Sequence, residues 1–282
     1  MVLSKPDLDR LVRNALEEDL GEGGVDITTD AVVDPNLMGE AFLIARKAGV
    51  ISGANAAARV FELVSPPCEY HSLVDDGTRV EDGDQVARVI GPLASILTAE
   101  RAALNFLQRL SGIATLTQSY ADALAPFPKV TLLDTRKTTP GLRFLERAAV
   151  RAGGGHNHRD GLWDAILVKD NHVAAAGGVT TAIERARNIR MPVEVEVDTL
   201  QQLEEALEAG AETVLLDNMP PALLRRSVEI TAGRARLEAS GGMTLEGAVA
   251  AAKAGVDRIS VGALTHSAPA LDVSLEVTKT WR

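Results

Sequence analysis

The feature that most constrains the fold is a change of rhythm after Pro128. From there, short apolar runs that end abruptly in polar residues alternate with amphipathic helical patterns. The runs fall at 130–134, 165–169, 193–197, 213–217, 236–239 and 258–261, with helical stretches at 181–190, 200–208, 221–231 and 245–254. A repeat of about 20 to 35 residues is too long for hairpins and suits parallel strands joined by helices. Several of the helices stop at glycine (Gly210, Gly233, Gly255), the residue that most easily turns a chain out of a helix. Six strands are fewer than a closed βα barrel requires. The pattern therefore leaves an incomplete barrel or an open doubly wound sheet. Both place their chemistry at strand C-terminal ends, which is where the polar residues gather.

The first part of the chain reads differently. A capped amphipathic helix at 7–20 ends at Gly21, and a flexible segment with Gly23 and Gly24 leads to Asp26. Strands at 39–45, 49–52, 70–73 and 85–91 surround one helix at 54–63, predicting a small α/β sandwich. The turn EDGDQV superficially resembles a lipoyl carrier hairpin, but no modifiable lysine lies between Lys47 and Lys129. A long helix at 98–125, with a break at Gly112, connects the parts. The expected division is an N-terminal domain at 1–110 and a barrel domain at 111–267. The tail at 268–282, with the apolar spacing of LDVSLEV, is expected to pack back on the first domain.

Composition removes several classes of function. A net charge of -10 with 3% aromatic residues argues against a nucleic-acid partner. No uncharged apolar run approaches the roughly 18 residues of a membrane span, and the N-terminus lacks the pattern of a secretory signal. The single cysteine, Cys68, points to a reduced, cytoplasmic setting. Against this acidic background stands a basic island at 136–159. Arg143, Arg147 and Arg151 have the spacing of a solvated helix face. Arg136, Lys137, His158, Arg159 and Lys169 instead sit at strand ends or beside glycines, as a pocket for an anion would need.

The run VEVEVD sets Val193, Val195 and Val197 on one face and Glu194, Glu196 and Asp198 on the other. If the valines meet helices, the acids point into the barrel and need cations there. Lys137 and Lys169 are the expected partners, and Mg²⁺ is a second possibility. A barrel-filling ion-pair network without catalytic role is the plainer alternative. Further on, Gly241 and Gly242 follow a strand and precede a helix, while Val261, Gly262 and Ala263 end the next strand. Such adjacent strand ends suit a phosphate. The sequence contains neither a GxxxxGK[ST] loop nor a GxGxxG turn. His156 and His158 lack a zinc spacing, and Ser240 has no nucleophile elbow. Phosphate-binding glycines, cations and carboxylates together suit transfer of a phosphorylated sugar to a small acidic acceptor.

At these residues the chain resembles the quinolinate phosphoribosyltransferases. The matching pieces are TAERAALNFLQRLSGIAT, DTRKTTPGLR, AVRAGGGHNHRDGLWD, KDNHV, EVEVD, LLDN, EASGG and VGALTH, with an opening EEDLGEGGVDITTD. They occur in order and span most of residues 98–266. The resemblance implies transfer of phosphoribosyl from phosphoribosyl diphosphate to quinolinate, with Mg²⁺, no prosthetic group and loss of CO₂. It implies an N-terminal α/β sandwich domain and an incomplete, six-stranded βα barrel, in a homodimer with shared sites in which Arg101 comes from the partner subunit. It places Arg136, His158, Arg159 and Lys169 on the acceptor carboxylates, with Lys169 bordering both ligands, Lys137 near the diphosphate side, Thr135 among the substrate-binding residues, and Glu196 and Asp217 toward the ribose and metal. Ser240, Gly241, Gly242, Val261, Gly262 and Ala263 would cradle the 5′-phosphate. The catalytic set so implied is Lys137, Lys169, Glu196 and Asp217. The alternatives are a same-fold relative with another acceptor, of the molybdate-transport-associated type, or a non-catalytic regulator that binds a phosphometabolite.

Overall fold

A computed structural model describes residues 5–282. In chain order, α1 (Lys5–Leu20) and α2 (Ile27–Val32) precede β1 (Met38–Ala45), β2 (Gly49–Val50) and α3 (Ala54–Leu63). Then come β3 (Glu69–Ser72), β4 (Arg79–Val80), β5 (Gln85–Pro92) and the long α4 (Leu93–Leu124). The alternating part begins with β6 (Thr131–Leu133), α5 (Arg143–Ala152), β7 (Ile166–Val168), α6 (Asp170–Ala176) and α7 (Val179–Arg187). It continues with β8 (Val193–Val197), α8 (Leu200–Glu208), β9 (Thr213–Asp217), α9 (Pro221–Thr231) and β10 (Arg236–Ser240). Last are α10 (Leu245–Ala254), β11 (Arg258–Ser260), α11 (Ala263–His266) and β12 (Val273–Trp281). Among the described residues no helix is long and apolar enough to cross a membrane.

The chain forms two compact units. The first takes the described residues up to Gln118, together with Thr139–Gly154 and Ala268–Arg282. Its main sheet has the order β12-β1-β5-β3, with antiparallel pairing throughout. Apolar side chains of β1 and β5 share one buried cluster with α1, α3 and α4, including Leu43, Val89, Val12, Phe61 and Leu107. The C-terminal strand β12 lies beside β1 along its whole length, from Met38 opposite Trp281 to Ala45 opposite Val273.

The second unit, Ser119–Thr138 and Gly155–Ser267, holds a parallel six-stranded sheet in the order β6-β11-β10-β9-β8-β7. Strands β7 to β11 follow one another without reversal, and β6 closes against β11. A doubly wound sheet would reverse its order at a switch point, so this is a barrel left open between β6 and β7. Into that seam the chain inserts His156, which pairs with Leu133 of β6 as an isolated parallel bridge. Helix starts around the barrel have local causes. Thr199 and Gln202 form a reciprocal capping box at α8, Pro221 opens α9, and Thr244 caps α10 through the Gly247 N–H at 3.1 Å.

Two expectations are corrected and one unassigned element is added. Helix α4 runs through Gly112 without a break. The glycine is there for space, because a Cβ would collide with the Pro269 carbonyl oxygen in the same unit. Beyond Gly23 and Gly24 a short helix not assigned from sequence begins, where Asp26 caps α2 by accepting the Thr29 N–H at 3.0 Å. Arg147 is buried, at 4% exposure, and so does not belong to a solvated face.

The crowding at Gly112 yields a measurable expectation. Gly112→Val should lower the apparent melting temperature by about 3–10 °C, as forced overpacking does. Differential scanning calorimetry reads it directly, and an unchanged transition would mean that the 269 segment moves aside freely.

Candidate active site

The C-terminal ends of the six parallel strands converge on one cleft. After β6, the chain turns polar at Asp134, Thr135, Arg136 and Lys137. The Lys137 N–H donates to Thr135 Oγ1 at 3.1 Å, and the Lys137 carbonyl accepts from Thr265 Oγ1 at 2.8 Å. These local bonds shape the turn that presents Arg136, whose buried Nε has no hydrogen-bond partner among the described residues. An unpaired buried donor costs about 1–3 kcal/mol, and a bound anion would satisfy it.

Lys169 follows β7 at the start of α6, where its backbone N–H donates to His172 Nδ1 at 2.9 Å. Its ammonium forms an ion pair with Glu196 of β8, as the alternation of that strand led us to expect. Asp217 ends β9 and accepts from Asn218 Nδ2 at 2.6 Å. Asp198 is exposed and outside the cleft. Glu194 meets neither expected lysine. Its Oε2 lies 3.0 Å from His158 Nε2, and Glu238 Oε1 of β10 lies 3.4 Å from the same nitrogen.

Asp134, wholly buried, holds the segment that carries His158 and Arg159. Its carboxylate accepts the His158 N–H at 2.8 Å and Asn157 Nδ2 at 2.7 Å. The Arg159 head donates to the Ala165 carbonyl at 3.0 Å. Burial lowers the Arg159 pKa, and the nearby Arg136 charge lowers it further. Two neighbouring guanidiniums in one cleft favour an anionic occupant. Burial also works against charge on the His158 ring, but hydrogen bonds to Glu194 and Glu238 pull its pKa up to about 9. Burial raises the Glu194 carboxyl. For Glu238 the same upward push is outweighed by the bonds from His158 and Ser260, which hold it below the ordinary value.

The small residues occupy neighbouring strand ends. Gly241 has φ +94°, and a Cβ there would strike Asn218 Oδ1, so glycine is required after Ser240. Gly242 is also left-handed, at φ +50°. On β11, Val261 is buried, Ala263 opens α11, and Gly262 leaves room for the Lys137 methylenes. Arg101 is exposed on α4 in the first unit.

Two carboxylates lining the cleft, Glu196 and Asp217, offer hard oxygens of the kind Mg²⁺ takes when substrate phosphates complete its shell. They fit a shared site and not an all-protein cage. The three-ligand group that converges among the described residues is a different one, His158, Glu194 and Glu238. Sequence reasoning did not single out Glu238, Ser260, Asp134 or Asn157. Glu238 does carry a signal, an acid between Leu237 and Ala239 in a strand, the same alternation that exposed Glu194 and Glu196.

Because Glu238 sits below its ordinary 4.5, the folded state binds that proton less tightly than the unfolded state does. Its contribution to stability is complete above the unfolded value and is lost as pH falls through the folded one. Urea unfolding from about pH 6 down to about pH 3 should therefore show a steeper loss for wild type than for Glu238→Gln. Parallel curves would remove Glu238 from the acid-sensitive set.

Comparison with known proteins identifies what the chain is similar to. The profile described as quinolinate phosphoribosyl transferase, C-terminal domain, matches residues 113–276, and that of the N-terminal domain matches 26–111. The chain is 42% identical to the probable nicotinate-nucleotide pyrophosphorylase, carboxylating, of Bacillus subtilis, over 96% of this chain and 93% of the relative. It is 42% identical to the chloroplastic carboxylating enzyme of Arabidopsis thaliana, over 96% of this chain and 83% of that one. The crystal structure of NadC from Streptococcus pyogenes superimposes with TM-score 0.91 and 41% identity, covering 99% of this chain and 100% of that one.

Proposed function

Because the chain belongs to the quinolinate phosphoribosyltransferase family, we infer that it makes nicotinate mononucleotide for de novo NAD synthesis. Quinolinate accepts the phosphoribosyl group of phosphoribosyl diphosphate, and diphosphate and CO₂ leave. The observation that carries the acceptor assignment is the unpartnered buried Nε of Arg136, beside Arg159 and Lys169 in one cleft. Two acceptor carboxylates need several cations, and planar guanidiniums clamp them in bidentate fashion. Arg101, exposed on α4, joins them from the partner subunit in a homodimer. Lys137 faces the diphosphate, and Thr135 lines the same cleft, while Ser240, Gly241, Gly242, Val261, Gly262 and Ala263 take the 5′-phosphate.

In the reaction the pyridine nitrogen attacks ribose C1 as diphosphate departs, through an oxocarbenium-like state. Glu196 and Asp217 stabilise the positive charge that develops on the ribose, and Lys137 draws on the leaving oxygen. Glu196 and Asp217 would also hold Mg²⁺, which when bound neutralises diphosphate charge. Once the nitrogen is quaternary, the pyridinium ring accepts the electrons of the C2–carboxylate bond. CO₂ leaves and C2 takes up a proton. The ring is its own electron sink, so no prosthetic group is called for. The lone cysteine, Cys68, is free and buried, which supports a reducing, cytoplasmic setting.

The direct test is incubation with quinolinate, phosphoribosyl diphosphate and Mg²⁺, with nicotinate as a parallel acceptor. Equal CO₂ and nicotinate mononucleotide from quinolinate, and none from nicotinate, is the expected outcome. No product from either would transfer the chain to a relative with another acceptor. Arg136→Ala should raise the quinolinate KM by about a hundredfold while the phosphoribosyl diphosphate KM stays near wild type. An unchanged quinolinate KM would take Arg136 out of the acceptor pocket. Chelation with EDTA should abolish turnover, and added Mg²⁺ should restore it.

A further inference from the structure

Lys169 stands where the rules of helix formation call for a different residue. The position just before a helix is normally filled by serine, threonine, aspartate or asparagine, whose oxygens accept the free N–H groups of the first turn. An ammonium group has no lone pair to offer. Lys169 is nevertheless the N-cap of α6, and its ammonium pairs with Glu196. A residue suited to the cleft by its charge thus occupies a place that the helix needs for capping.

The helix that starts there has little else to hold it. Helix α6 is seven residues long and has no buried residue. A helix so short is not stable alone in water, and without a buried face packing adds little. Its ends must supply the order. At the C-terminal end Gly177 is left-handed, at φ +89°, and its N–H donates to the Val173 carbonyl at 3.1 Å. At the N-terminal end the Asn171 N–H stays local, donating to Asp170 Oδ1 at 2.7 Å. The bond that ties the first turn back to Lys169 comes from His172, whose Nδ1 accepts the Lys169 N–H at 2.9 Å. This is one half of a capping box, with histidine at the position where glutamate or glutamine is usual.

The reaction as described makes no use of His172. We propose that His172 is a positioning residue for it. By accepting the Lys169 backbone N–H, the ring fixes the start of α6 and with it the stem that carries the Lys169 ammonium to the acceptor and Glu196. His172 acts through Lys169 and does not itself touch substrate. The role asks only for an acceptor atom, which the amide oxygen of glutamine supplies as well.

The proposal rests on the acceptor reading above, and its test separates the two. The cap is measured first, without substrate, as the hydrogen-exchange rate of the Lys169 amide by NMR. His172→Ala should speed that exchange by about tenfold or more, and His172→Gln should return it close to wild type. Kinetics come second. His172→Ala should lower kcat/KM for quinolinate by about tenfold, as loss of orientation does, and His172→Gln should recover most of it. Both variants should melt within about 2 °C of wild type, because α6 has no buried residue. Exchange at Lys169, or kcat/KM for quinolinate, within about twofold of wild type in His172→Ala would sink the proposal. Equal losses in the alanine and glutamine variants would also overturn it, since the imidazole itself would then be needed. If wild-type protein forms no nicotinate mononucleotide, the reaction reading fails instead, and amide exchange alone decides whether His172 holds Lys169.

Discussion

A single buried carboxylate, Asp134, sits where the barrel is open. With one side chain it accepts the His158 backbone N–H and the Asn157 amide, and so binds the end of β6 to the segment lying in the seam. The pairing of His156 with Leu133 continues the same attachment by backbone bonds. An open edge between β6 and β7 would otherwise expose unpaired strand groups. The chain fills that edge with the segment that brings Arg159 to the cleft. The weakness in the barrel's closure and the presence of its cations are thus one arrangement.

The acids in the interior follow from the same logic of compensation. Alternation on β8 and β10 forces Glu194, Glu196 and Glu238 to the side opposite their valine, leucine and alanine neighbours. Each is answered from another element: Glu196 by Lys169 after β7, Glu194 and Glu238 by His158 from the seam, and Glu238 also by Ser260 of β11. A buried ion network of this kind is weak evidence for stability and stronger evidence for specified geometry.

The strand-and-helix order and the collection of Arg136, Lys169, Glu196 and Asp217 at strand ends were legible in the sequence, whereas its periodicity alone left the open barrel and the doubly wound sheet undecided until the strand order was seen. An apolar run that turns polar carries its own direction. What stayed hidden depends on partners distant in sequence. Glu194 was assigned to lysines because its real partner lies on a loop with no periodic pattern. The unbroken α4 could not be read because Gly112 is needed by the Pro269 carbonyl, more than a hundred residues away. Arg147 has the spacing of a surface residue, and only packing shows it buried. The short α2 was missed although Asp26 and Thr29 carry the cap that begins it.

The pairing of β1 with β12 bears on how the molecule is made. The ribosome releases β1 early, yet β12 follows all six barrel strands in the chain. During synthesis β1 must therefore wait, with one edge unpaired, while an entire second unit emerges. The barrel can complete its own sheet from contiguous strands in that interval, whereas the first unit cannot. Such long-range pairing slows folding and leaves an edge open to other chains. The burden of quality control during translation thus falls on the unit that begins first and finishes last.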